Sequence, residues 1–74
     1  MAVILIIGRS YRRAVQWCQD NGHPPPNRGP DSPIYASDVN RIRGLLPDQV
    51  VDLGAESRLR EEANYRLARR KVSR

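Results

Sequence analysis

The stretch Ala2-Val3-Ile4-Leu5-Ile6-Ile7-Gly8-Arg9-Ser10-Tyr11-Arg12-Arg13-Ala14-Val15 decides the fold. Residues 2–7 are apolar without alternation, the pattern of a strand buried on both faces in a helix-covered parallel sheet. Gly8 turns the chain and Ser10 is a suitable helix N-cap. Tyr11, Ala14, Val15 and Cys18 then follow i, i+3, i+4, i+7 spacing, which defines one apolar face of a helix. Strand, glycine turn, helix is how phosphate-binding α/β domains begin. A phosphate loop also needs several free amides, a second Gly, a Lys and a Ser or Thr hydroxyl. Here one Gly, Arg9 and Ser10 precede the helix directly.

Working outward, Asn21-Gly22 ends the first helix, with Gly22 suited to the left-handed position. Residues 23–33 (HPPPNRGPDSP) form a stiff proline-rich connector, since proline removes amide donors and disfavours helix. Ile34-Tyr35-Ala36 reads as a short strand. Ser37-Asp38 caps a short helix expected to contain Val39, Ile42, Leu45 and Leu46, limited by Gly44 and Pro47. Gln49–Leu53 is a third strand, Gly54 breaks it, and a helix runs from about Ala55 towards Val72.

The order β-α-β-α-β-α implies a parallel sheet with helices on its faces. Right-handed crossovers place the first strand between the other two, in order 2-1-3. The expected architecture is thus a minimal α/β unit: a three-stranded parallel sheet, flanking helices and a long C-terminal helix. Both outer strands are then exposed edges, a route to dimerisation.

The last helix carries Ala55, Leu59, Ala63 and Leu67, each four apart, a thin stripe with two large side chains. Glu56–Arg60 and Glu62–Arg66 are i, i+4 pairs in the favourable order, worth about 0.2–0.5 kcal/mol each. The expected consequence is a helix held by one narrow edge, with its Arg-rich end projecting.

At 74 residues the chain is a single domain, spanning residues 1–74. A domain this small is marginal alone. It has no Phe and one Trp, so Val, Ile, Leu and Ala must build the core. One Cys and one His exclude an intrachain disulfide and a Cys- or His-rich metal site. The lone thiol fits a reducing compartment. The apolar run at residues 2–7 is too short for a membrane span and lacks the flanks of a signal peptide. With Met1 in place, the chain reads as a complete small protein.

The formal net charge is +5. Residues 55–74 carry seven basic and three acidic groups, against six and five in residues 1–54, so the excess lies on the last helix. Lys71 is the one lysine among the basic residues. Such an arginine bias follows from GC-rich coding as readily as from phosphate recognition.

Two stretches carry a resemblance. The first is the strand–turn–helix from Val3 to Gly22. The second is Arg41-Ile42-Arg43-Gly44-Leu45-Leu46-Pro47-Asp48-Gln49-Val50-Val51-Asp52-Leu53-Gly54-Ala55. It resembles the segment leading into and through the Walker B strand of terminase-like and helicase-like ATPases. The whole chain resembles small actinobacteriophage proteins that look like degenerate, truncated P-loop or Rossmann-like domains. The resemblance implies a protein of the bacterial host cytoplasm on a nucleotide-binding scaffold. Its departures fall on the chemistry. Gly8-Arg9-Ser10 has neither the Lys nor the second Gly, and Leu53 stands where a catalytic Glu is expected. Without these, Mg²⁺-assisted phosphoryl transfer has little to act with.

Three non-enzymatic readings follow. The leading one is a phage-type accessory protein working by contact with a host protein partner or a second copy, through Tyr11, Trp17, Leu59 and Leu67. The second is nucleic-acid binding by Arg66, Arg69, Arg70, Lys71 and Arg74, with counterion release making it salt-sensitive. The chain lacks an aromatic platform, a helix-turn-helix signature and a zinc finger for that task. The third is anion binding, without hydrolysis, at Gly8, Arg9 and Ser10, where helix-start amides and the dipole attract negative charge, with Arg12 or Arg13 assisting. No cofactor and no metal are expected. Asp52 is read as a polar strand terminus pairing with Arg43 or the first helix, Cys18 as an inert apolar group, and His23 as a solvent-facing loop residue.

Overall fold

The computed structural model describes residues 3–72, with side chains as far as residue 70. β1 (Ile4–Gly8) leads to α1 (Tyr11–Asp20). After the connector come β2 (Ile34–Ala36), a single 3₁₀ turn (Val39–Ile42), β3 (Gln49–Leu53) and α2 (Ser57–Val72). The sheet is parallel throughout, in the order β2-β1-β3. Leu5 pairs with Ile34 on one side and Val50 on the other.

The central position of β1 explains its unbroken apolar run. Leu5, Ile6 and Ile7 are fully buried, and alternation sends them to opposite faces. Ile6 meets Ala14 and Cys18 of α1. Leu5 and Ile7 meet Leu59 and Ala63 of α2, with Ile42 and Ala55. Burial of Cys18 pushes its thiol pKa up, in keeping with an inert apolar role.

α1 closes with a Schellman motif. Gly22, at φ 72°, lets His23 N donate to Cys18 O at 2.8 Å and Gly22 N to Gln19 O at 3.3 Å. The same reversal lays the imidazole of His23 flat against Trp17, with centroids 5.4 Å apart and planes at 9°. His23 is therefore half-buried, and the expectation of a solvent-facing loop residue is corrected.

The second helix shrinks to one 3₁₀ turn. Asp38 caps it by accepting from Asn40 N, but Arg43 returns to extended backbone (φ −60°, ψ 131°). Ile42 alone is buried from this turn, and Leu45 and Leu46 lie beyond it. α2 begins two residues later than expected, because Ala55 N donates to Asp52 Oδ1 at 2.9 Å instead of opening the helix. No helix among the described residues is long and apolar enough to cross a membrane.

Candidate functional site

β1 and β3 are neighbours, yet the chain leaves them towards opposite faces of the sheet. β1 runs into α1 on the Ile6 face, and β3 runs into α2 on the Leu5 face. In open α/β sheets such a divergence opens a crevice at the carboxyl ends of the two strands, where ligands bind. Here a cleft of about 340 Å³ lies at this point, lined by Arg9, Ser10, Arg13, Leu53 and Gly54.

The start of α1 faces the problem of every helix start: its first amides have no intrahelical partner. Ser10 occupies the N-cap with extended backbone (φ −136°, ψ 120°), but its side chain makes no capping bond. The first turn holds no acidic residue and instead carries Arg12 and Arg13. Positive charge at a helix N-terminus opposes the macrodipole, typically by 0.3–1 kcal/mol for each charge. Arg9, Arg12 and Arg13 are exposed and form no salt bridge among the described residues. Arg9 and Arg13, two uncommitted cations, therefore share the mouth of the crevice with open amides, and Arg12 stands beside them in the first turn. Gly8 is not among its lining residues. A Cβ at Gly8 would sit 3.3 Å from both Leu53 Cβ and Leu53 O, so this glycine serves the close approach of β1 to β3. Its carbonyl accepts from Tyr35 Oη at 3.1 Å.

The arginines of α2 are used differently. Arg60 bonds to Asp52, and its Nη2 donates to Ala55 O at 2.9 Å. Asp52 therefore pairs with neither Arg43 nor α1, and Arg60 is drawn away from Glu56. Arg66 Nε lies 2.8 Å from Glu62 Oε2, an ion contact too poorly aligned for a hydrogen bond, and its Nη1 donates to Leu45 O at 3.5 Å. Arg70 pairs with Asp48 at 2.6 Å and donates to Leu46 O at 2.8 Å. Arg69 donates to Tyr65 Oη at 3.1 Å. The basic helix is thus folded back onto the body as far as Arg70 and does not project. Arg74 lies outside the described residues, as does the side chain of Lys71.

The two aspartates bracket β3 and tie it to both ends of α2. From Asp48 to Asp52 is about 13 Å of strand, and from Arg60 to Arg70 about 15 Å of helix, so both ion pairs form at once. Asp48 also accepts from Val3 N at 2.6 Å, while its own amide donates to Val3 O at 2.8 Å. That amide bond, with Arg70 beside it, holds the Asp48 carboxyl below the usual aspartate range. The amide of Ala55, then Arg60 and the amide of Gly54, do the same for Asp52. A lowered folded pKa gives stability that is complete above the ordinary value of about 3.9. It is lost as the pH falls through the lower folded value. Acid unfolding followed by circular dichroism is expected to steepen below that ordinary value. In an Asp48→Asn, Asp52→Asn chain the acid slope should flatten and neutral-pH stability should fall. An unchanged slope would rule these two aspartates out as its source.

Of the contact candidates, Leu59 is 1% exposed and belongs to the core, so its assignment to an interface is corrected. Four-residue spacing marks the buried stripe, and the side chain best centred on it is the least accessible. Tyr11 is 45% exposed but sits edge-on to Tyr35 and donates to Pro26 O at 3.2 Å, pinning the connector. Trp17 and Leu67 are half-buried. Tyr65, 55% exposed, is the more open aromatic and was not among the sequence candidates. Leu53 and Gly54 were also missed as crevice residues, although the 2-1-3 order itself predicts that the ends of β1 and β3 meet there. No cluster of three His, Cys, Asp or Glu side chains suited to a metal occurs among the described residues. No protein-family model, curated protein or solved structure matches the chain.

Proposed function

We propose that the protein binds a phosphate-bearing anion in the crevice between β1 and β3, without hydrolysing it. One observation carries this reading: Arg9 and Arg13 line the switch-point crevice at an uncapped helix start whose first turn also carries Arg12. A local rule broken without internal compensation is what a functional site is expected to look like. An anion would bond the open amides, satisfy the dipole and neutralise the arginines together. The nucleic-acid reading loses support because Arg66, Arg69 and Arg70 are engaged within the fold. The contact reading loses Leu59 to the core. Hydrolysis is left out because Leu53 offers no carboxylate at the end of β3 and no lysine flanks Gly8.

The test is an amide chemical-shift titration with inorganic phosphate, ATP and GTP. Saturable shifts are expected at Ser10, Tyr11, Arg12 and Arg13. An Arg9→Glu, Arg13→Glu chain should bind about tenfold more weakly or worse, equivalent to at least about 1.4 kcal/mol. Unmoved amides, or the same affinity in the charge-reversed chain, would sink the reading.

A further inference from the structure

The two edges of the sheet are treated unequally. On the outer side of β2, Asn27 adopts a left-handed backbone (φ 61°) and acts as a substitute strand. Its Oδ1 accepts from Tyr35 N at 3.1 Å, its Nδ2 donates to Tyr35 O at 3.4 Å, and its amide donates to Pro33 O at 2.9 Å. β3, two residues longer, has no such cover. Gln49 N donates inward to Val3 O, so in a parallel ladder Gln49, Val51 and Leu53 bond towards β1. Val50 and Asp52 therefore turn their N–H and C=O groups outward, and these have no partner among the described residues. Natural edges are usually protected by lysine, proline, a bulge or a cover. β3 has none of these, and its one charge, Asp52, is neutralised by Arg60.

We infer that β3 pairs antiparallel with β3 of a second copy of this chain, across a two-fold axis at Val51, giving a six-stranded sheet. The register is dictated by the outward groups. Val50 faces Asp52 of the second copy and Asp52 faces its Val50, each pair exchanging two backbone hydrogen bonds. Val51 faces its own copy in the closer, non-bonded site between them. Gln49 faces Leu53, so no like charges oppose one another.

The helices fit the same arrangement. α2 packs on both β1 and β3. Strands about 4.8 Å apart then place the two copies of α2 about 10 Å apart, the ordinary helix-packing distance. Leu67 follows Arg60 by seven residues and so shares the flank of α2 that reaches Asp52. That half-buried leucine is the side chain the second helix would cover. A foreign extended segment would bond the same edge but would bring no second α2.

The register makes the test specific. Under mild oxidation, Val51→Cys chains should cross-link to a covalent dimer in high yield, because position 51 faces itself. Gln49→Cys chains should not, because the two copies of position 49 lie four residues apart along the strands. Cys18 is buried and does not compete. Sedimentation of the unaltered chain from micromolar to millimolar concentration should show a reversible monomer–dimer equilibrium. A monomer throughout that range, or equal cross-linking at positions 49 and 51, would overturn the pairing.

Discussion

Leu59→Ala is expected to cost about 2–5 kcal/mol, the range for a buried leucine that leaves a partly collapsed cavity. A 74-residue domain has roughly 4–11 kcal/mol of stability at ordinary values per residue, so this one change removes a large share or all of it. The size of the effect follows from how α2 is held. Among the described side chains, Leu59 and Ala63 are the buried apolar residues of α2, with Ala55 buried in the turn before it, and Leu59 alone is large. The alanines bring the helix close, while Leu59 fills the space between Leu5, Ile7 and Ile42. Leu67 is half-buried, and Leu67→Ala should cost clearly less. Urea unfolding would measure both. Trp17 reports from the opposite face of the sheet and far-UV circular dichroism is weighted towards the longer α2, so coincident transitions test two-state behaviour. If α2 detaches first, circular dichroism will move ahead of Trp17 fluorescence. A Leu59→Ala chain within about 0.5 kcal/mol of the parent, the range of surface substitutions, would refute this account of the core.

The elements read most clearly from sequence are those whose local pattern and global role coincide. β1 sits between two strands and two helices, so every one of its residues must be apolar, and the string Ile4-Leu5-Ile6-Ile7 says so directly. The strand order followed from crossover handedness, without reference to any side chain. Gly22 at φ 72° matches the expectation of a left-handed helix end. The misread features depend on partners distant in sequence. Nothing near Asp52 indicates that Arg60, one helical turn past the turn it caps, will take it from Arg43. Nothing near Asp48 indicates Val3 and Arg70. Asn27 looks like a loop residue because the strand edge it covers is eight residues away. The 3₁₀ turn failed for a local reason: Gly44 at φ 74° stops the helix before Leu45 can join it.

The misread pairings of Asp48 and Asp52 are electrostatic, and they bear on the site. Counting charges along the chain places the positive excess on α2. Pairing them in space reverses the emphasis, because Asp48, Asp52 and Glu62 hold Arg70, Arg60 and Arg66. Among the described residues, the arginines without acidic partners that gather at one feature are Arg9, Arg12 and Arg13, at the start of α1. Exposed pairs contribute little each, so the arrangement matters less for stability than for where an anion would meet uncompensated charge.

Gly8→Ala separates the two roles a glycine can have at a strand–helix turn. If Gly8 belonged to a phosphate-cradling loop, the added methyl would weaken anion binding and leave the fold nearly intact. The geometry predicts the reverse order. The new Cβ would lie 3.3 Å from Leu53 Cβ and 3.3 Å from Leu53 O, and the carbonyl cannot swing aside as a flexible side chain would. Gly8 and Leu53 are register partners at the carboxyl ends of β1 and β3, so relief requires those ends to part. Overpacking of this kind costs about 1–3 kcal/mol. For a domain of this size each kcal/mol lowers Tm by roughly 4–8 °C. The backbone of Gly8 is not in the left-handed region, so the loss is steric and should grow from Gly8→Ala to Gly8→Val. Gly22→Ala, by contrast, meets no neighbouring atom and pays only for φ 72°, about 1–2 kcal/mol, with no dependence on contact to β3. Because Leu53 lines the crevice, displacement of its backbone by Gly8→Ala should appear as amide shifts at Leu53 and Gly54 even before any anion is added. An alanine chain with unchanged Tm and reduced phosphate affinity would restore the phosphate-loop role to Gly8.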